Sequence, residues 1–331
     1  MEMLEFPMIP DSFLQRLNDY RSVIDNELLS LLDNHEPAYL YDPVRYVFSG
    51  KGKRLRPILV LLVAKSFGTP QKTAMPAALA VEILHNFSLV HDDIMDRDDV
   101  RHGLPTVHMK WDESAAILAG DALFALAHLE LTKLGKYSLD CIRIFNEATI
   151  KLCEGQALDK AFEEINVVSL DEYLNMVSLK TGALISLCCQ LGSIVGSATS
   201  EIIAELSKFG RFIGQAFQIQ DDLLEIFSTS KKMGKSLGSD VLTSKKTYLT
   251  CKAIKSNHSA WNQLMEDVSD QNMEQDVLPK LRKYYTDTGI VGSAKKDINK
   301  LVSQAKLCLE KINSDGDNLL HFVNLIMSRK N

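Results

Sequence analysis

Apolar residues recur at helical spacing along almost the whole chain. The first apolar stripe is formed by Phe13, Leu14, Leu17, Tyr20, Ile24, Leu28 and Leu31. Residues three and four apart share one face of an α-helix, whereas a strand would alternate apolar and polar positions. None of the nine prolines falls between Pro105 and Pro279. Long segments rich in Leu and Ala, joined by short Gly, Ser or Asn turns, predict an all-α protein built as one large helical bundle.

The pattern also predicts where the helices begin and end. Asp11 or Ser12 can cap the first helix. A short helix is expected over 42–48, and Pro57 suits the first turn of the helix that follows. A helix is expected over 73–96, followed by a polar loop over 98–111. Further helices are expected at 113–134, 138–164, 170–196, 200–227, 245–270, 273–288, 291–313 and 315–328. No linker or shift in composition divides the sequence, so we expect a single domain over residues 1–331.

Two groups of carboxylates interrupt otherwise apolar segments. They consist of Asp92, Asp93 and Asp96 in the first and Asp221, Asp222 and Glu225 in the second. Residues i and i+4 of a helix lie on one face, roughly 5–6 Å apart. One such group is most often a solvated helix face, but two groups with apolar flanks indicate central helices. Burial then requires a cation, and the oxygen ligands suggest Mg²⁺, which usually brings substrate phosphates with it.

Basic side chains alternate with these acidic groups along the chain. They are Lys53, Arg56, Arg97, Arg101, Lys180, Lys235, Lys245 and Lys246. Any one of them would ordinarily be a solvated surface residue. Together with carboxylates and Mg²⁺ they can hold a diphosphate, because the metal bridges carboxylate to phosphate and the bases take the remaining oxygens. Lys180 lies in an apolar segment, so it either faces an anion or a cavity, or ends a helix before Gly182.

Composition and charge narrow the class of protein. The net charge of -6 argues against a nucleic-acid binder, which would carry a basic face. The N-terminal sequence lacks the basic and apolar regions of a signal peptide, and no run of about 18 uncharged apolar residues predicts a membrane span. The six cysteines show no C-x-x-C spacing, so we expect buried free thiols and a cytoplasmic location.

Two short motifs resemble known sites but lack the complete pattern. The sequence MGKS at 233–236 looks like the end of a P-loop, yet Thr229 stands where that motif requires glycine. Glu82 and His85 form a Glu-x-x-His, as in di-iron bundles, but such a site needs a second copy on another helix. We therefore set both interpretations aside.

The motifs taken together resemble those of the trans-isoprenyl diphosphate synthases, or polyprenyl synthetases, over essentially the whole chain. They are GKGKRLRP (50–57), HNFSLVHDDIMD (85–96), VRHGLPTVH (100–108), LKTGAL (179–184), GQAFQIQDDLLE (214–225) and GKSLGSDVLTSKKT (234–247). The resemblance implies a helical bundle around a deep central cavity, usually a homodimer. It also implies an enzyme that joins an allylic diphosphate to isopentenyl diphosphate.

The same resemblance implies which carboxylates bind metal. Asp92 and Asp96 would hold two of three Mg²⁺ ions on the allylic diphosphate, with Asp93 in support. Asp221 would hold the third ion from the opposite side. It would be helped by Asp222 and by Glu225, which stands where the family usually has Asp.

Further residues are implied for the two substrates. The allylic diphosphate would also be bound by Arg101, Lys180, Lys235 and Lys245. Isopentenyl diphosphate would be held by Lys53, Arg56, His85 and, at a position where the family often has arginine, His102. Oxygens of Thr181 and Gln218 would face the developing carbocation.

Product length should depend on the residues one turn before Asp92. Phe87 and Ser88 occupy these positions, and the ring of Phe87 should close the floor of the cavity. Ordinary core packing is the alternative interpretation of this ring. By resemblance, geranylgeranyl diphosphate is the favoured product and farnesyl diphosphate the second.

Three rival functions make different demands on the sequence. A class I terpene cyclase would not need a second diphosphate site at Lys53, Arg56 and His85. A non-catalytic regulatory subunit of a heteromeric synthase would be expected to have lost acids or lysines. A di-iron bundle would need a second Glu-x-x-His. The sequence leaves open the preferred allylic starter, the pathway served, the contribution of His102 and the oligomeric state.

Overall fold

The computed structural model describes residues 7–50, 52–228, 245–268, 276–312 and 316–328. Its helices are α1 Asp11–Ser30, α2 Ala38–Ser49, α3 Leu55–Ser66, α4 Gln71–Asp96, α5 Val107–Lys110, α6 Glu113–Thr132, α7 Ser138–Glu163, α8 Leu170–Val177, α9 Ala183–Val195, α10 Ser200–Phe227, α11 Tyr248–Val268, α12 Leu278–Asp287, α13 Ile290–Glu310 and α14 Asp317–Met327. A 3₁₀ turn spans Gly135–Tyr137 and a π-helical turn Ser178–Gly182. The prediction of an all-α bundle is confirmed.

The centre of the bundle is formed by helices that are apolar on nearly every side. In α3 every residue from Pro57 to Ala64 is buried, and in α4 every residue from Ala77 to Leu84. Such helices belong to the interior rather than to an amphipathic outer layer. Both α4 and α10 pack against α9. The two helices with carboxylate groups are therefore held in position by the same neighbour.

Several predicted bounds are wrong for local reasons. The second helix begins at Ala38 rather than 42, directly after Pro37. The predicted loop over 98–111 contains α5 and a two-stranded hairpin, β1 Val100–Arg101 and β2 Leu104–Pro105. Its two-residue turn has positive φ at both His102 and Gly103, the geometry of a type I′ turn. Short hairpins of this kind lack the longer alternation that reveals strands in a sequence.

Two predicted helices are also interrupted. The segment expected over 170–196 changes to π-helical geometry at Ser178–Gly182 before α9 begins. In α11, Asn257 has non-helical backbone angles (φ -160°, ψ 93°). The Asn257 side chain accepts a hydrogen bond from the Ala260 amide at 3.0 Å, as an N-cap does at a helix start. The apolar spacing continues through both breaks, so the sequence gives little sign of them.

Arg54 is an internal anchor that the sequence analysis did not identify. It has left-handed backbone geometry at the start of α3, with φ 50°. Its guanidinium donates to carboxylates of Asp25 and Glu82, both at 2.7 Å. It also donates to the backbone carbonyls of Phe48 and Gly50. Arg54 thus connects α1, α2 and α4. Glu82 is paired with Arg54 rather than placed to bind a metal, which agrees with the rejection of a di-iron motif.

The cysteines differ in exposure. All six are free, and five are buried while Cys153 on α7 is exposed. The expectation of buried thiols is therefore wrong for Cys153, although partial burial and the nearby charge of Asp92 raise the pKa of its thiol. Burial raises the pKa of the other α7 thiol, Cys141, to about 12, so that thiol is inert at neutral pH.

Within the described ranges, three stretches are long and apolar enough to cross a membrane by length and composition alone. They are Gln71–Asp96, Glu113–Thr132 and Leu170–Val195. The apolar windows of the first and third are 67% buried inside the bundle, whereas that of Glu113–Thr132 is 44% buried. Helix α6 therefore leaves more of its apolar surface uncovered than the other two.

The Arg54 anchor predicts a stability effect. Arg54→Met should lower the free energy of unfolding by about 3–5 kcal/mol, because the buried Glu82 carboxylate loses its cation. Adding Glu82→Met should recover much of that loss. Urea denaturation followed by circular dichroism measures both. Lys283→Met, at an exposed ion pair with Asp287, is the control and should change stability by less than about 1 kcal/mol. Equal losses in the single and double variants would contradict the anchor role.

Candidate active site

The first carboxylate group lies in the last turns of α4. Asp93 is buried and accepts a 2.6 Å hydrogen bond from Arg101. Asp96 accepts from the ammonium groups of Lys245 at 2.8 Å and Lys160 at 3.4 Å. Asp92, one turn earlier on the face of Asp96, is partly buried. Three cationic side chains from separate parts of the chain therefore converge on this helix end.

The charges of Asp92 and Asp96 respond differently to this environment. Burial raises the pKa of Asp92 to about 6, opposed by Lys180 and reinforced by the nearby charge of Asp96. Burial also disfavours ionisation of Asp96, but the hydrogen bond and charge of Lys245 bring its pKa below the usual value. Asp92 is thus the carboxylate with the most to gain from an added cation.

Lys180 faces this group from the π-helical turn. Its ammonium donates to Asp159 of α7 at 2.6 Å, and its charge lowers the pKa of both Asp92 and Asp96. The sequence left open whether Lys180 faces an anion or a cavity, or ends a helix. In the structure Lys180 faces an anion, the Asp159 carboxylate. Its side chain is 24% exposed, so the ion pair remains open to a ligand.

A close backbone approach positions the π-helical turn. A Cβ atom added at Gly155 of α7 would lie only 2.4 Å from the Lys180 backbone nitrogen, so only glycine fits there without movement. The wider turn places Thr181 opposite α10, where its hydroxyl donates to the Gln218 side-chain oxygen at 3.1 Å. Single π-turns inside helices are frequently found at functional sites.

The second carboxylate group lies near the end of α10. Asp222 is 5% exposed and accepts from the Tyr173 hydroxyl at 2.5 Å, the Tyr248 amide at 2.7 Å and the Gln218 amide at 3.1 Å. These donors make Asp222 a fixed part of the framework. Asp221 and Glu225, one turn apart, are partly buried instead, and their spacing puts them on a common face.

A cavity of ≈ 130 Å³ lies between α7, α8, the π-helical turn, α10 and the segment before α11. Its polar lining includes Asp159, Lys180, Gln218, Asp222 and Lys245. Lys180 and Lys245 line this cavity and also act on the carboxylates of α4. The cavity therefore connects the two carboxylate groups through shared cations.

The predicted isopentenyl diphosphate residues form a second cationic region. Arg56 and His85 are 3.0 Å apart, from Nη1 to Nε2. A guanidinium can only donate, so His85 Nε2 is the acceptor and the imidazole is neutral. Burial, followed by the charges of Arg56 and Arg101, sets the pKa of His85 well below its ordinary value. Burial and Arg101 likewise lower the pKa of His102 in the hairpin turn, with a further contribution from the exposed Lys53.

Aromatic rings lie one turn below the first carboxylate group. The partly buried Phe87 packs against His91, with ring centroids 4.8 Å apart, and against Phe124 of α6 at 5.5 Å. Phe124 in turn contacts His128 and Phe145 of α7. Phe87 is therefore part of an aromatic layer that joins α4, α6 and α7. Ser88 beside it donates a hydrogen bond back to the His85 carbonyl.

Some site residues were found only in the structure, and one predicted residue is not described. Asp159 and Lys160 pair with Lys180 and Asp96, but no spacing in the sequence links them to those residues. The hydrogen bond from Tyr173 to Asp222 joins positions 49 residues apart. Lys235 lies outside the described ranges, with most of the GKSLGSDVLTSKKT motif.

The donor set suits magnesium that arrives with a phosphorylated ligand. Within the described residues, no three His, Cys, Asp or Glu side chains gather as a ready-made metal site. Mg²⁺ is commonly held by one or two carboxylates together with waters and substrate phosphates. Asp92 and Asp96 supply two such carboxylates on one helix face, beside lysines that can take the remaining phosphate oxygens.

Comparison with known proteins agrees with this geometry. The chain matches the polyprenyl synthetase family over residues 37–285, and it belongs to that family. The geranylgeranyl diphosphate synthase of Methanosarcina mazei is 39% identical over 246 residues, which are 73% of this chain and 76% of that protein. The geranylfarnesyl diphosphate synthase of Aeropyrum pernix is 34% identical over 313 residues, or 92% and 97% of the two chains. The geranylgeranyl pyrophosphate synthetase of Pyrococcus horikoshii superimposes with a TM-score of 0.89 at 32% identity, covering 96% of this chain and 99% of that one.

The contact at Gly155 predicts a sensitive position. Gly155→Ala should lower the free energy of unfolding by roughly 1–3 kcal/mol, because the new methyl group overpacks the backbone of Lys180. Thermal and urea denaturation measure the loss. Gly292→Ala is the matched control. Its added methyl would meet no described atom within 4 Å, and the helical position should gain about 0.5–1 kcal/mol. Unchanged stability in Gly155→Ala would show that the π-helical turn can move freely.

Proposed function

We propose that this chain is a trans-prenyltransferase that condenses isopentenyl diphosphate with an allylic diphosphate. The product would be a short-chain all-trans prenyl diphosphate, with geranylgeranyl diphosphate favoured and farnesyl diphosphate second. The observation that carries the proposal is the pairing of two cationic regions around α4. Lys160, Lys180 and Lys245 act on Asp96 and Asp92 in one region, while the Arg56 guanidinium, beside the neutral His85, supplies the charge of the other.

Two anionic substrates explain why two such regions are needed. An allylic diphosphate would bind between the first carboxylate group and the lysines that now pair with it. Isopentenyl diphosphate would bind at Arg56 and His85, with Lys53 and His102 nearby, while Arg101 would contribute to the allylic site. Guanidinium groups hold phosphate oxygens in a fixed, bidentate geometry. A class I terpene cyclase, which uses one diphosphate substrate, would not need the second region.

The residues that would hold Mg²⁺ are part of the proposal. Asp92 and Asp96 would hold two ions, and Asp221, with Glu225 on its face, would hold a third. The buried Asp93 and Asp222 would position their neighbours, since Arg101 and the Tyr173 hydroxyl already occupy them. When bound, Mg²⁺ neutralises the charge that develops on the departing diphosphate.

The residues of the chain would then guide the reaction. Lys180 and Lys245 would stabilise the diphosphate as the allylic C–O bond breaks, an interaction that strengthens with the growing negative charge. The Thr181 hydroxyl and the Gln218 carbonyl would face the carbocation. The double bond of isopentenyl diphosphate would attack the cation, and a proton would pass to the released diphosphate. The apolar walls of α3, α4 and α9 would keep water from the cation.

The aromatic layer supports the predicted role of Phe87 in chain length. Its ring contacts Phe124 and His91, so the growing chain would meet packed rings below the first carboxylate group. Ser88, on the next position, would leave space beside the ring. The core-packing interpretation of Phe87 differs in its consequence, because it predicts no change of product when the ring is removed.

A homodimer and a cytoplasmic location complete the proposal. Helix α6 exposes Ile117, Leu118 and Leu129 at 45%, 45% and 58%, and a second copy of the chain would cover this apolar face. All six cysteines are free thiols, as expected in a reducing compartment.

A non-catalytic subunit would not need the complete set of carboxylates and lysines.

The metal-binding role of Asp92 gives the first test. Purified protein with Mg²⁺, isopentenyl diphosphate and dimethylallyl diphosphate should release diphosphate and form longer prenyl chains, and EDTA should stop the reaction. Asp92→Asn should lower kcat by about 10²–10³-fold, the usual cost of losing one group that stabilises developing charge. Asp140→Asn, at an exposed carboxylate in the first turn of α7, should retain full activity. Wild-type kcat in Asp92→Asn would overturn the assignment of this site.

Phe87 gives the second test. Phe87→Ala should shift the products towards longer chains, because removal of the ring deepens the cavity. Reversed-phase chromatography of the dephosphorylated products measures their length. Phe67→Ala removes an equally half-buried ring at the end of α3 and should leave product length unchanged. Identical product profiles for wild type and Phe87→Ala would mean that another residue forms the floor.

A further inference from the structure

Gln156 of α7 is a buried polar residue with an unexplained side chain. It is 7% exposed, yet neither amide atom has a hydrogen-bond partner among the described residues. Buried side-chain amides are nearly always hydrogen-bonded, and an exception needs a physical reason such as catalysis. Glutamine has two donors and an acceptor, so within the described part of the chain both ends of this dipole are left without a partner.

Three residues close to Gln156 on α7 contact groups of the candidate active site. Gly155 contacts the backbone of Lys180. Asp159, three residues on, accepts from the Lys180 ammonium, and Lys160, four residues on, donates to Asp96. Positions i, i+3 and i+4 share one helix face. Gln156 therefore lies on the inward face of α7, one turn deeper than the groups that surround the first carboxylates.

We infer that Gln156 is a further catalytic residue, whose amide completes its hydrogen bonds only in the substrate complex. The inference rests on the proposed prenyltransferase function. The carbonyl oxygen would face the developing allylic carbocation, and the NH₂ group would donate to the diphosphate. A dipole oriented in this way gains interaction energy as the two charges separate. A preformed dipole does not need to reorganise during the reaction, which explains why it is kept unpaired in a buried position.

The step that Gln156 would assist is the ionisation of the allylic substrate. The C–O bond breaks, and its electron pair leaves with the diphosphate oxygen. The remaining carbon is positive until the double bond of isopentenyl diphosphate donates its electron pair to form the new C–C bond. A proton then leaves the adjacent carbon for the released diphosphate. Gln156 exchanges no atoms or electrons, so its whole contribution is electrostatic.

The test is Gln156→Met, which keeps the shape of the side chain and removes the dipole. We expect kcat to fall about 10²-fold, with both KM values within about 3-fold of wild type, since the interaction belongs to the transition state. Because an unpaired buried amide is removed, the melting temperature should equal or exceed that of wild type. A fluorinated allylic diphosphate forms a less stable cation. The ratio of wild-type to variant rate should therefore be larger for this substrate than for the unfluorinated one.

Gln190→Met is the matched control. The Gln190 amide is hydrogen-bonded to Ser186, so this variant should lose thermal stability and keep kcat. Wild-type kcat in Gln156→Met would overturn the inference and leave the proposed function intact. A lowered melting temperature together with unchanged kcat would identify Gln156 as structural. If the wild-type protein does not extend the prenyl chain of an allylic diphosphate, the proposed function is overturned and, with it, the role of Gln156.

Discussion

The compensation of buried carboxylates at the ends of α4 and α10 is the constraint on which the site depends. A carboxylate inside a protein is tolerated only with cations or several hydrogen-bond donors around it. The two groups meet this requirement differently. Asp222 accepts hydrogen bonds from Tyr173, Tyr248 and Gln218 and is part of the framework, whereas Asp96 accepts from lysines that a phosphorylated ligand can also use. Asp92, whose pKa burial raises, is compensated less by the protein than Asp96 is.

Helical spacing was sufficient to predict the all-α bundle, and the two carboxylate groups indicated a candidate site, whose individual residue roles were implied by the family resemblance. These signals are local, because they depend on residues within a turn or two of each other. The π-helical turn at Lys180 was not predictable, since the apolar pattern runs through it and the close approach to Gly155 involves another helix. The pairing of Lys160 with Asp96 is invisible for the same reason: it joins positions 64 residues apart.

The basic motif before α3 shows a different limit of sequence analysis. Lys53, Arg54 and Arg56 look alike in the sequence, but the structure gives each a separate environment. Lys53 is exposed, Arg54 is buried in ion pairs, and Arg56 faces His85. Their roles depend on the left-handed backbone at Arg54, which turns its side chain inward. One short stretch of cations thus combines a structural anchor with residues of the proposed substrate site.

The short segment that leads into α11 contacts both carboxylate groups. Lys245 binds Asp96 through its side chain, and three residues later the Tyr248 amide binds Asp222. A chain of three residues spans at most about 11 Å. The backbone therefore keeps the two points of attachment, Lys245 and Tyr248, within that distance of each other. A ligand that took the Lys245 ammonium from Asp96 would release the segment from α4 while the Tyr248 amide still held it to α10.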